Sequence, residues 1–356
     1  MPRAHNFSAG PAALPTDVMT EIQRDLLDYR GTGMSVMEIS HRSSAFMDIA
    51  SRAEHSLRRL LYISEDYHVL FLQGGARLQF TMIPLNLAAP GEIVEYVDTG
   101  IWSQKALQEA ARLRDAKSVA SAHDHIPAES SWTRYSSSKY LYITTNETIS
   151  GVQYHEFPAT DSVPLVADAS SDFLTRPMEV HRFGLIYACA QKNFGPAGLA
   201  IVIVRRDLCR EPQEHESEYL NYATHAKSTS MFNTPNTFAW YIAGLMFDWI
   251  SAQGGVKEMQ TQCELKSQKL YDLIDESALY RSVIEPRFRS SVSVTFTLTD
   301  DALNQRLLDE AEKAGIHHLK GHRAVGGFRA SLYNGVPMQA VDALVEFLAD
   351  FEQRKS

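Results

Sequence analysis

Lys192 follows an apolar run, Leu185-Ile186-Tyr187-Ala188-Cys189-Ala190, and precedes the stiff segment Asn193-Phe194-Gly195-Pro196-Ala197-Gly198. A second apolar run, Leu199 to Val204, comes directly after. A lysine at the lip of two buried strands is partly desolvated, which favours the neutral, nucleophilic amine. Another apolar run, Pro164-Leu165-Val166-Ala167, ends in Asp168. An amine and a carboxylate at the ends of neighbouring strands are the two anchors that hold pyridoxal phosphate: the lysine forms the Schiff base and the acid pairs with the pyridinium nitrogen. Each residue also has a plainer reading. A lysine after a strand is usually a solvated loop residue. Asp168, followed by Ser170, Ser171 and Asp172, also suits a turn or a helix cap.

These residues need strand ends to stand on, and the flanking pattern supplies them. Runs at Val69–Leu72, Ile93–Val97, Tyr140–Thr144, Leu165–Ala167, Leu185–Ala190 and Leu199–Val204 read as buried strands. Helices are expected at Thr16 or Asp17 onward, Ser44–Leu61, Arg77–Leu87 and Ser103–Arg114. Short aliphatic strands separated by helices predict an α/β fold with a mainly parallel sheet covered on both faces. Helices at Pro235–Ile250 and Val256–Ile274 lead to a different pattern. There Val292–Leu298 alternates, Ala302–Ala314 is a helix stopped by Gly315, Phe328–Tyr333 is a strand and Met338–Phe351 a last helix. The expected organisation is an N-terminal segment (1–15) reaching the active site, a large cofactor-binding domain (16–255) and a smaller C-terminal α+β domain (256–356).

Open parallel sheets bind ligands beyond the carboxyl ends of their strands. Gln73-Gly74-Gly75-Ala76-Arg77 occupies such an end and opens a helix, where free N–H groups favour a phosphate. By itself a Gly-Gly pair after a strand is more often a tight turn. Trp102 follows another strand end and either stacks on a flat ring or fills core.

Composition bounds the alternatives. The chain has 356 residues, 44% hydrophobic and 22% charged, enough for two domains and an ample core. With 34 Lys and Arg against 43 Asp and Glu, the net charge of −9 argues against a general binder of nucleic acid or anionic membranes. No stretch reads as a membrane span or a secretory signal. Cys189, Cys209 and Cys263 lack metal-like spacing and cannot all pair, so no metal is expected and a reducing cytoplasm is the expected home.

The segment Ala190 to Gly198 resembles the cofactor-lysine segment of the phosphoserine aminotransferases, members of the fold type I, class V aminotransferases. The likeness continues in order through Asn6-Phe7-Ser8-Ala9-Gly10-Pro11, Met37-Glu38-Ile39-Ser40-His41-Arg42, Asn146-Glu147-Thr148, Phe232-Asn233-Thr234-Pro235 and Gly321 to Ser331. The resemblance implies that Lys192 carries the cofactor, Asp168 keeps its ring nitrogen protonated and Trp102 stacks on the ring. Thr148 would hydrogen-bond the cofactor and Gln191 would lie beside its phosphate. Ala76 and Arg77 would cradle that phosphate through their backbone, joined by Asn233 and Thr234 from a partner subunit, so a homodimer with shared active sites is implied. Arg329 would clamp the substrate α-carboxylate. His41, Arg42, His322 and Arg323 would receive the distal acidic group. Ala9, Ala76, Cys189 and Asn236 depart from the family pattern, but none removes a reacting group.

The implied reaction is reversible amino transfer from L-glutamate to 3-phosphohydroxypyruvate, giving O-phospho-L-serine and 2-oxoglutarate. The resemblance leaves room for a second substrate, the phosphorylated four-carbon keto acid of vitamin B6 synthesis. Charge-assisted hydrogen bonds contribute roughly 1.5–3 kcal/mol each, so several around a phosphate separate phosphorylated from plain substrates by powers of ten. Either His-Arg pair alone reads as a solvated patch. Two such pairs in a protein of net charge −9 point to an anion pocket. A class V relative acting on serine, alanine or glyoxylate is the alternative, and has little use for both pairs. A cysteine desulfurase would need a mobile reactive cysteine, and a cofactor-sensing transcription regulator an added DNA-binding domain.

Overall fold

The structure, a computed structural model, describes residues 3–160 and 162–354. Met1 and Pro2 of the expected N-terminal segment, Asp161, and Lys355 and Ser356 of the expected C-terminal domain lie outside them.

In chain order the first elements are β1 (His5–Asn6), α1 (Thr16–Asp25), α2 (Ser44–Leu61), β2 (Tyr67–Gly74), α3 (Ala76–Leu87), β3 (Ile93–Asp98), α4 (Ile101–Ala110) and β4 (Asp115–Ser121). Next come β5 (Leu141–Thr144), β6 (Asn146–Glu147), β7 (Val152–Gln153), β8 (Leu165–Asp168), β9 (Leu185–Cys189), α5 (Ala190–Asn193) and β10 (Gly198–Arg205). The remainder is α6 (Tyr222–Lys227), α7 (Thr237–Ala252), α8 (Gly255–Glu276), β11 (Tyr280–Arg281), β12 (Ser293–Leu298), α9 (Asn304–Lys313), β13 (Ile316–His317), β14 (Phe328–Ser331) and α10 (Met338–Gln353).

Seven strands form the main sheet in the order β2-β10-β9-β8-β5-β3-β4. Strand β10 runs antiparallel to β2 and β9, and the other pairs are parallel. Side chains alternate across the strands and both faces are covered. Phe71, Ile186, Ala188, Ile201 and Ile203 enter one core, while Leu70, Leu72, Tyr187, Val202 and Val204 enter another on the opposite face. This is the doubly covered, mainly parallel sheet expected from the sequence.

A third core joins the antiparallel sheet β11-β12-β14 to α8 and α10 through Leu270, Ile274, Phe296, Phe328, Leu344 and Leu348. Phe7 is buried in it, and β1 pairs in parallel with β13, so the N-terminal segment packs with C-terminal elements. Helix α8 belongs to two cores, with Val256 and Met259 in the first and Leu270 and Ile274 in the third.

Three local expectations are corrected. The helix expected over Ser103–Arg114 is α4, Ile101–Ala110, and its tail is a turn into β4. Strand β4, Asp-Ala-Lys-Ser-Val-Ala-Ser, pairs only with β3 among the described residues; an edge strand needs no continuous apolar run, which hid it. Lys192, expected between the end of a strand and a stiff segment, stands on a single helical turn, α5.

Candidate active site

The carboxyl ends of β8 and β9 and the start of α3 open onto one cavity of about 460 Å³, within the range of small-ligand sites. Its lining includes Ala76, Arg77, Trp102, Thr148, Asp168, Gln191, Lys192, His322 and Arg329, nine of the residues picked out in the sequence. Ala9 and Gly10 of the N-terminal segment line it too, held by Ala12 N–H donating to the Gln191 carbonyl at 2.9 Å. His41, Arg42, Asn233, Thr234 and Arg323 are outside this lining. Asn233 and Thr234 sit on an exposed loop near the end of β2, where Gln73 Nε2 donates to the Thr234 carbonyl. Arg42 and Arg323 are exposed and His41 half-buried.

Lys192 Nζ donates to Thr148 Oγ1 at 2.7 Å and lies 5.7 Å from the centre of the Trp102 ring. Asp168 is only 5% exposed and terminates β8, one strand away from the lysine segment. Its Oδ1 accepts the Ser170 N–H at 2.9 Å. Beside it the hydroxyls of Tyr142 and Tyr187 pair at 2.7 Å, and burial raises both phenol pKa values. Burial likewise raises the Cys189 thiol, the signature of a small packed residue rather than a nucleophile.

Opposite this wall stands Arg329 on β14. Burial lowers its pKa, with Tyr333 opposing, and its Nη1 donates to the Thr148 carbonyl at 3.2 Å. Among the described residues it forms no ion pair, and its desolvated guanidinium faces the cavity. The pKa of His322 is lowered by burial, then by Arg329, Lys105 and Arg323, which marks a local concentration of positive charge. The chain as a whole carries a net charge of −9, so this positive charge is gathered locally at the cavity.

The group that the strand-end pair Lys192 and Asp168 calls for can be tested against orphaned polar atoms. Trp102 Nε1 and Gln191 Oε1 are buried with no hydrogen-bond partner among the described residues. The first N–H groups of α3, at Ala76 and Arg77, have no partner within the helix and open on the same cavity. An aromatic aldehyde with a phosphate arm fits: an amine to bind it, an acid for its ring nitrogen, an indole beside the ring and a helix start for the phosphate.

Two residues escaped the sequence reading. Glu147, 0% exposed, accepts the N–H groups of Trp102 (3.2 Å) and Ser103 (2.9 Å) and the Ser103 hydroxyl (2.8 Å). It thereby caps α4 and sets the place of Trp102. Gly100 permits this, because a Cβ there would sit 2.7 Å from Glu147 Cδ. Burial raises the Glu147 pKa, opposed by the donors of Ser103 and Trp102. Its signal was its place beside Thr148. Lys105, one helical turn after Trp102, puts Nζ 4.7 Å from the indole centre, and the three-residue spacing was that signal.

The sequence pattern of "Aminotransferase class-V" matches residues 4–344. A curated phosphoserine aminotransferase of Pseudomonas aeruginosa is 50% identical over 355 residues, covering 99% of this chain and 98% of that protein. The chain belongs to the class V aminotransferases, in their phosphoserine aminotransferase family. A solved phosphoserine aminotransferase, described by radiation damage of its Schiff base, superposes with a TM-score of 0.97 at 46% identity, covering 99% of this chain and all of that one. The phosphoserine aminotransferase of Bacillus circulans subsp. alkalophilus gives a TM-score of 0.97 at 42% identity, covering 99% of both chains. This class V aminotransferase thus shares its fold with them over nearly its whole length.

Proposed function

We propose that the protein is a pyridoxal-phosphate-dependent transaminase that moves an amino group between O-phospho-L-serine and 2-oxoglutarate, with L-glutamate and 3-phosphohydroxypyruvate as the opposite pair. The carrying observation is the shared cavity: the amine of Lys192 and the unpaired guanidinium of Arg329 both meet Thr148, through its hydroxyl and its carbonyl. A substrate whose carboxylate is held by Arg329 has its Cα and amine directed towards the Lys192 side. When bound, pyridoxal phosphate supplies an electron sink for the Cα carbanion. Lys192 would hold and move the Cα proton, Asp168 would keep a proton on the ring nitrogen, and Trp102 would support the ring face. Ala76, Arg77, Thr148 and Gln191 would hold the phosphate arm and the ring substituents.

The distal phosphate or carboxylate is assigned to His322 and Arg323, with His41 and Arg42. In this reading Asn233 and Thr234 complete the phosphate cradle of a neighbouring subunit, so the working form is a homodimer. Met19, Leu27, Met34, Met37, Met47 and Phe232, all exposed in the single chain, offer an apolar surface for that contact. We place the enzyme in the cytoplasm, and assign the cofactor site to residues 16–255 and the carboxylate clamp to residues 256–356. Side-by-side transamination of 2-oxoglutarate with phosphoserine, serine or alanine tests the reading. Phosphoserine should be preferred by at least about 10²-fold in kcat/KM, the worth of two charge-assisted bonds. Equal turnover of serine would assign the enzyme to plain amino acids instead.

A further inference from the structure

Lys266, on the middle of α8, is 3% exposed and forms no ion pair among the described residues. Its Nζ donates to three backbone carbonyls, Leu332 at 3.0 Å, Tyr333 at 2.9 Å and Val336 at 3.1 Å. An ammonium has three N–H donors, so the match is one to one. Burying a cation without an anion is costly, and a leucine or methionine would avoid that cost only by leaving the three carbonyls without this donor. The charge is therefore retained for what it gathers.

What it gathers is the turn that follows β14, the strand of Arg329. Tyr333 donates its hydroxyl to the Ala9 carbonyl at 3.1 Å, at the wall of the active site. Asn334 donates its N–H to Asn193 Oδ1 at 2.9 Å and its Nδ2 to the Leu174 carbonyl at 2.8 Å, and Asn193 is the neighbour of Lys192. The 332–336 turn is thus the covalent continuation of the carboxylate arm and the hydrogen-bonded partner of the lysine arm. Helix α8, which joins two hydrophobic cores, carries the ammonium that folds this turn. A cavity of about 300 Å³ adjoins it; its lining includes Lys266, Asn334, Gln253, Gln262 and Glu258, whose carboxylate makes no ion pair with Lys266 among the described residues.

We propose that Lys266 is a positioning residue acting as a tethered monovalent cation, whose ammonium holds the 332–336 turn and with it the relative placement of Arg329 and Lys192. This rests on the reading of Arg329 as the carboxylate clamp. Potassium has nearly the size of an ammonium and exchanges water for carbonyl oxygens, which lithium, small and strongly hydrated, does not do. The full-length holoenzyme is tested as Lys266→Met and as Lys266→Ala, in KCl and in LiCl at equal ionic strength.

For Lys266→Met, KM for both phosphoserine and glutamate should rise about tenfold, the loss expected for hydrogen bonds to a charged group. Its visible cofactor absorbance should remain. For Lys266→Ala, potassium entering from the adjoining cavity should restore KM and melting temperature, and lithium should not. A variant that is soluble only in potassium also supports the proposal. A folded Lys266→Met protein with KM within twofold of wild type overturns it, as does Lys266→Ala equally impaired in both salts. A lower melting temperature with unchanged KM reduces Lys266 to a structural residue and also overturns it. Arg329→Ala, assayed in parallel, separates the two readings. Should it leave KM for both amino donors intact, the clamp assignment fails, while potassium-selective recovery of both KM and melting temperature in Lys266→Ala still decides the role of Lys266.

Discussion

The two sides of the active-site cavity are built in opposite ways. On the lysine side, Asp168, Thr148, Ser170 and Cys189 are buried at strand ends, and Glu147 alone collects three hydrogen bonds. On the other side, residues 321–327 form a glycine-bordered loop with Arg323 exposed and Val325 53% exposed. Its hydrogen bonds close on itself: Val325 and Gly326 N–H to the His322 carbonyl, Ala324 N–H to His322 Nδ1, and Gly321 N–H to the Gly327 carbonyl. A Cβ at Gly321 would meet the Gly326 carbonyl oxygen at 2.0 Å, so only glycine allows the loop to fold back this tightly. The contrast matches the chemistry asked of each side. Proton transfer needs fixed geometry, because misplacing a reacting group costs orders of magnitude. In the proposed reaction the distal anion is a planar carboxylate in one half-reaction and a tetrahedral phosphate in the other, and that reading asks a locally closed loop to accept both.

Damage to the rigid side should therefore be severe and indifferent to substrate. In the proposed reading Lys192→Ala removes both the amine that binds the cofactor and the base that moves the proton. Turnover should fall by about 10⁴-fold or more, with phosphoserine and glutamate losing alike, and the visible Schiff-base absorbance should vanish. A Lys192→Ala enzyme that kept its colour would place the covalent anchor elsewhere. Next comes Glu147→Gln, which turns one acceptor oxygen into a donor facing the Trp102 N–H. Cofactor affinity of the apoenzyme, followed by quenching of tryptophan fluorescence, should drop about tenfold from the loss of a charge-assisted bond. The variant should also lose one pH dependence. Because burial raises the folded-state pKa of Glu147, wild-type stability declines as pH rises through the window above the ordinary carboxylate value, where ionising the buried acid opposes folding. Melting curves of Glu147→Gln should lack that component.

The same contrast explains what could be read from the sequence. Strands buried on both faces are continuous aliphatic runs, so β8, β9 and β10 were legible, and with them the stations of Asp168 and Lys192. Edge strand β4 carries no such run and was not. Buried charges were the other blind spot. Glu147 and Lys266 look like solvated residues on a short strand and a helix, because their burial depends on amides and carbonyls distant in the chain, some 44 residues from Glu147 and 66 from Lys266. The motif residues His41, Arg42, Asn233 and Thr234 were visible as motifs, yet within the single chain they lie outside the cavity lining; the proposed reading gives Asn233 and Thr234 to a neighbouring subunit, a relation that spacing within one chain does not encode.

Changes on the adaptable side should be milder and should discriminate between substrates. Arg323→Ala should raise KM for phosphoserine about tenfold and for glutamate only a few-fold, since a dianionic phosphate gains more from a guanidinium than a carboxylate does. Equal losses would remove Arg323 from the distal pocket. The smallest effect concerns His322. Burial, Arg329, Lys105 and Arg323 lower its pKa, so the folded state resists protonating it, and the stability it contributes is present above the ordinary histidine value and lost as pH falls through the depressed one. A bound phosphate reverses the local field and should draw a proton back onto the ring. Imidazole resonances followed by NMR should therefore titrate at higher pH in the presence of phosphoserine than without it, with a smaller displacement for glutamate, and KM for phosphoserine should fall a few-fold as pH is lowered towards 6.5, the ordinary histidine value. The His322→Asn enzyme should keep a flat KM over that range. If its profile instead still follows that of the wild type, the titrating group is the substrate phosphate itself, and the loop supplies shape and fixed charge but no proton.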